Sequence, residues 1–146
     1  MILRDILNVK GRQVHTAHPQ EPILDAVKKL VAHGVGALVI VDNNARIVGI
    51  ITERDILRLS ATSAERFGRL LVGDHMTRDL VTANSAATVE DAMLVMSQRR
   101  IRHLPVVEEG NLVGIVSQGD LVKASLEHAQ FETRQLTNFV MGRYPG

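Results

Sequence analysis

Cysteine and tryptophan are absent from this 146-residue chain, and its aromatic side chains number three phenylalanines and one tyrosine. Without cysteine there are no disulfides, no thiolate metal sites and no thiol nucleophile, a usage that fits a reducing compartment. So few aromatics argue against a base-stacking platform for single-stranded nucleic acid. Long hydrophobic runs are missing too, since stretches such as Leu38–Val41 and Ile47–Ile51 fall far short of a membrane span. Arg4, Asp5 and Lys10 put charge where a signal peptide would carry its apolar core, so the chain is expected in the cytoplasm. The net charge of +1, from 17 basic and 16 acidic residues, supplies no global field for nucleic acid or an anionic membrane.

Catalytic signatures are also missing. There is no G-x-x-x-x-G-K-[ST] loop, no G-x-S-x-G elbow and no H-E-x-x-H pair, which leaves an enzyme as the least supported class. His15 and His18, without a further carboxylate or cysteine, read as solvated or turn residues, and no metal site is expected. His75 reads as a structural residue. What the chain does have is 45% apolar residues, enough for one domain or two tightly paired halves.

Its dominant feature is an internal repeat. Gly49-Ile50-Ile51-Thr52-Glu53-Arg54-Asp55 returns 65 residues later as Gly114-Ile115-Val116-Ser117-Gln118-Gly119-Asp120. Upstream, Asp25-Ala26 matches Asp91-Ala92, Leu30 matches Met96, and Leu38–Val41 matches Leu104–Val107, the offset changing from 66 to 65 in the intervening turn. Each copy is an apolar run that ends in a hydroxyl residue with a carboxylate three positions on, the pattern of a strand entering a helix. Two readings fit that turn. Thr52 with Asp55 and Ser117 with Asp120 can be capping boxes. The same groups at a helix N-terminus can also hold a phosphate and a ribose diol.

Along the chain, Ile2–Leu7 reads as a short helix opening unit one, and Val14–Ala17 as a weak strand. Pro22 starts a helix bearing Ile23, Ala26, Val27, Leu30 and Val31, which ends at His33-Gly34. A strand Val35–Val41, a turn at Asp42-Asn43-Asn44, a strand Ile47–Ile51 and a helix from Glu53 to Leu59 with Ile56 and Leu57 inward complete the unit. Ser60–Arg69 reads as linker. Unit two repeats the scheme: a helix at Val72–Met76, a strand at Leu80–Ala83, a Thr88–Asp91 capping box, and a helix with Val89, Ala92, Met93 and Met96 inward. A hairpin then turns at Glu108–Asn111 and leads to Ser117 and Asp120. Arg99 and Arg100 suit a helix C-terminus. Glu127–Met141 reads as a further helix with a frayed end at residues 143–146.

This order, closed twice by G-h-h-[ST]-x-x-D, resembles the CBS domain, named after cystathionine β-synthase. The resemblance implies an α+β (α/β) fold of two β-α-β-β-α units in a pseudo-two-fold pair with a C-terminal helix. The expected divisions are unit one over 1–62, a linker at 63–71, unit two over 72–128, and a helix and tail over 129–146. It further implies clefts for an adenine nucleotide ligand, AMP, ADP, ATP or NAD(H), or S-adenosylmethionine, and no catalytic cofactor. The binding residues carried over are Thr16, Ala17, Gly36, Ala37, Thr52, Arg54 and Asp55 in unit one. In unit two they are Thr82, Ala83, Ile101, Arg102, His103, Pro105, Ser117 and Asp120. Asp55 and Asp120 would take ribose, Thr52 or Ser117 with Arg102 and His103 the phosphate, and backbone near Ala17 and Ala83 the base edge. Because Gly36-Ala37 stands where unit two has Arg102-His103, the Asp120 cleft is expected to be the better anion site.

The expected function is a non-catalytic sensor that signals to a protein effector in trans, since no catalytic or transport domain is attached. Apolar positions Ile56, Leu57, Leu121 and Val122 suggest a homodimer. The alternative is a structural or RNA-binding adaptor with vestigial clefts, for which only a local arginine patch speaks.

Overall fold

The computed structural model describes residues 1–142, so the expected frayed end at 143–146 lies outside the described residues. The elements are α1 (Leu3–Lys10), β1 (Thr16–Ala17), α2 (Ile23–His33), β2 (Ala37–Val41), β3 (Ile47–Thr52) and α3 (Glu53–Thr62), then α4 (Val72–His75), β4 (Ala83–Asn84), α5 (Val89–Arg99), β5 (His103–Glu108), β6 (Asn111–Ser117) and α6 (Gln118–Val140). The repeat becomes two three-stranded sheets, ordered β1-β2-β3 and β4-β5-β6. In each the short edge strand pairs in parallel with the middle strand, which needs a crossover, and α2 and α5 supply it. The middle and last strands form antiparallel hairpins. Glu109 and Gly110 link β5 to β6 with φ of 50° and 80°, a two-residue left-handed turn that follows the strand twist.

Each sheet carries its own core. Ile23, Ala26, Leu30, Leu38, Ile40 and Ile51 fill the first, and Val89, Ala92, Met96, Leu104, Val116 and Leu121 the second. The leading helices, however, are exchanged. Leu3, Ile6 and Leu7 of α1 pack into the core of unit two, and Val72 with Met76 packs into the core of unit one. Backbone bonds fasten both. Leu3 N–H donates to the Ala87 carbonyl (2.9 Å) and Val89 N–H to that of Met1 (3.1 Å), while Ile23 N–H donates to Leu70 (2.8 Å) and Val72 N–H to Glu21 (2.9 Å). Chain order puts Ile2–Leu7 at the start of unit one; its packing belongs to the other core.

The exchange explains the glycine that opens each repeated motif. A Cβ on Gly49 would lie 2.6 Å from the Met76 sulfur, and one on Gly114 the same distance from Leu7 Cδ2. Each final strand admits the other unit's helix only because that residue has no side chain.

Several expectations are corrected. Val31 and Leu57 are 78% and 71% exposed, and Leu121 is fully buried and so unavailable to a dimer contact. Periodicity marks an apolar stripe but not how wide a strip of it the sheet covers. Between the units, residues 64–69 form a 3₁₀ helix, and Phe67 and Leu70 pack on the first core in place of a free linker. The expected C-terminal helix is one with α6, which runs on for 23 residues from Gln118. Thr88 accepts from Asp91 N–H (3.1 Å) without the reciprocal bond of a full capping box.

Candidate functional site

Each repeated turn folds as its sequence spacing requires. Thr52 N–H donates to Asp55 Oδ2 (3.0 Å), the Thr52 hydroxyl donates to the same oxygen (3.2 Å), and Asp55 N–H donates back to Thr52 Oγ1 (3.4 Å). Ser117 N–H donates to Asp120 Oδ2 (2.8 Å) and Asp120 N–H to Ser117 Oγ (3.1 Å). The capping boxes are therefore real, and both carboxylates stand at helix N-termini.

Each turn also lines a cleft. The first, of about 420 Å³, joins Thr52, Glu53, Arg54, Asp55 and Arg58 to Gly36, Ile50 and Thr77, and to Arg100, Ile101, Arg102 and His103 from the other unit. Four guanidiniums there face two carboxylates. The second, of about 380 Å³, joins Ser117, Asp120 and Ile115 to Lys10, Gly11, Gln13 and His15, to Gly34–Ala37 and to His103. It holds one ammonium and one carboxylate. Each cleft is thus completed by the other unit's segment between helix and middle strand. This reverses one expectation: Arg102 stands with Asp55, so the first cleft is the cationic one.

The clefts meet at Gly36 and His103, which line both. A Cβ on Gly36 would lie 2.8 Å from His103 Nε2, so the glycine admits the imidazole between the units. Burial holds the His103 pKa below its ordinary value, against the opposing pull of Glu53. Burial likewise lowers that of His15, helped by His33, whose ring stacks on it with centroids 3.8 Å apart.

Of the other expected residues, Ala37 lines the second cleft, while Thr16, Ala17, Thr82, Ala83 and Pro105 line neither. Ala17 is buried in the first core, the Thr16 carbonyl accepts from Lys29 Nζ (3.1 Å), and Pro105 sits within β5 opposite Ile115. Lys10, Gln13, Arg58 and Thr77 were not signalled by the sequence, and Arg100 was assigned to the C-terminus of its helix. For Arg100 a clue exists in its nearness to Arg102, but helix-end electrostatics explained it equally well. For Lys10 no clue exists, because only the exchange of α1 brings it to unit two.

Arg100 shows strain at this site. It caps α5 at φ 56°, where the equivalent cap of α2 is Gly34 at φ 61°. A left-handed non-glycine residue is unfavourable by about 1–2 kcal/mol, and such strain clusters where function holds a residue in place.

Residues 3–62 and 72–127 match the family model described as CBS domain. The chain belongs to the CBS domain family, as a tandem pair. It is 34% identical over 97% of its length, and 73% of the relative's, to the mitochondrial CBS domain-containing protein CBSX3 of Arabidopsis thaliana. To the CBS domain-containing protein YhcV of Bacillus subtilis it is 40% identical over 75% of this chain and 76% of that one. A CBS-domain protein of Agrobacterium tumefaciens superposes with a TM-score of 0.83 at 38% identity, over 85% of this chain and 92% of that one. The CBS pair of protein MJ0100, in complex with 5′-methylthioadenosine and S-adenosyl-L-methionine, gives 0.78 at 31% identity over 88% and 98%. CBSX2 in complex with AMP gives 0.69 at 29% identity over 82% and 92%. No helix among the described residues is long and apolar enough to cross a membrane.

Proposed function

We propose that this chain is a non-catalytic regulatory module that senses a phosphorylated adenosine ligand in the Asp55 cleft and passes the state of that cleft to a protein effector in trans. The observation that carries the reading is the pairing of a helix N-terminal carboxylate with Arg54, Arg58, Arg100 and Arg102 in one cavity. Both bonds to Asp55 fall on Oδ2, and Oδ1 carries none among the described residues, so it is available to a ribose diol. Guanidiniums suit phosphate oxygens because their planar forks donate in pairs. Relatives in complex with AMP or with S-adenosyl-L-methionine support an adenosine ligand.

The test is thermal unfolding with AMP, ADP, ATP, NAD(H), S-adenosylmethionine and 2′-deoxy-AMP, on wild type and Asp55→Ala. A bound nucleotide at about 100 times its dissociation constant stabilises by about 2.7 kcal/mol. The 2′-deoxy analogue should bind about 10- to 100-fold more weakly, as expected when a hydrogen bond to a charged group is lost. Asp55→Ala should abolish the AMP shift. If no adenosine ligand stabilises the wild type, the reading is wrong, and the turns are caps alone.

A further inference from the structure

We propose, on the strength of the nucleotide reading above, that Lys10 latches the Asp120 cleft shut to ribose, so that the chain takes one nucleotide, at Asp55, until the latch is released. Ile50 and Ile115 are equivalent residues of the repeat, and they are satisfied differently. Ile50 exchanges two backbone bonds with Thr77, at 3.0 and 2.9 Å, because α4 ends at His75 and the chain then runs extended. The helix exchanged into the other unit, α1, continues to Lys10 and turns only at Gly11, whose φ is 104°.

A side chain therefore stands where unit one has a backbone bridge. Lys10 Nζ donates to the Ile115 carbonyl (2.8 Å) and to Asp120 Oδ2 (2.7 Å). Both bonds to Asp120 fall on Oδ2, as they do at Asp55, but here one of them comes from an ammonium that the Ile115 carbonyl also holds over the carboxylate. Among the described residues Asp55 accepts from Thr52 alone. Burial pushes the Asp120 pKa up, but the Lys10 ammonium and the Ser117 N–H outweigh it, and the net displacement is downward. Among the described residues Lys10 is also the only lysine or arginine lining this cleft. Once the latch is gone, what fits is adenosine without phosphate.

The test is calorimetric. AMP is titrated into the full chain, and adenosine is then titrated into the AMP-saturated protein, for wild type, Lys10→Met, Lys10→Gln and Lys10→Met with Asp55→Ala. Circular dichroism confirms the fold of each, and Lys10→Gln, which keeps a donor for Ile115, decides the matter if Lys10→Met does not fold. The wild type should take one AMP and no adenosine. Both latch variants should take one AMP and one adenosine, and the double variant adenosine alone. A second equivalent bound by wild type, or no adenosine bound by a folded latch variant, overturns the latch while the nucleotide reading stands. If the folded wild type takes up no AMP, the nucleotide reading falls and the latch with it.

Discussion

At the scale of single residues the cleft trades stability for charge at Arg100, whose guanidinium lines the Asp55 cleft from a left-handed cap. Arg100→Gly relieves the strain, as Gly34 does in the other unit, and removes one phosphate contact. Offset by the extra freedom of glycine in the unfolded chain, the gain should be up to about 1 kcal/mol. Chemical denaturation should therefore show a variant as stable as wild type or more so, with AMP affinity lowered several-fold. A variant that binds AMP as tightly as wild type would take Arg100 out of the site.

Among the elements, the exchanged helices hold the two units together, and the repeated glycines are the contact points. Gly114→Ala would bring a Cβ to within 2.6 Å of Leu7 Cδ2, and overpacking of that kind is unfavourable by about 1–3 kcal/mol. Leu7→Ala leaves a cavity in a fully packed core, destabilising by about 2–5 kcal/mol. Because the new methyl occupies part of that cavity, the double variant should be more stable than the sum of the two predicts, by about 0.5–3 kcal/mol. Strict additivity in urea unfolding would show that α1 does not press on β6.

For the molecule as a whole, the second half of α6 presents apolar side chains to solvent, Leu136, Phe139 and Val140 each more than half exposed. Leu121 is the only buried residue of the helix, and a short stretch of helix without a packed face is marginal in water. Val122, Leu126, Ala129, Thr133, Leu136 and Val140 alternate by four and three, which makes a coiled-coil seam of exposed positions. We propose a second copy of this chain as the partner. This replaces the contact expected through Leu121. Leu136→Glu should convert a dimer to a monomer in analytical ultracentrifugation while AMP binding persists; an unchanged dimer would place the interface elsewhere.

The repeat, the alternation of strand and helix, both capping boxes and the identity of Asp55, Asp120, Arg102 and His103 as polar groups near clefts were legible in the sequence. They depend on contacts three or four residues apart or on patterns within one unit, which short-range physics dictates. The placing of Arg102 in one cleft with Asp55, the exchange of α1 and α4, and the Lys10–Asp120 bond were not. Each joins residues far apart in the chain whose meeting depends on how two cores pack, and no local propensity encodes that. The sequence by itself determined that there are two similar units, each with a hydroxyl and a carboxylate at a helix start. Only the tertiary structure decided which of the two clefts is the cationic one, because the burial of α1 in the opposite core carries an ammonium to one carboxylate and leaves the other among arginines.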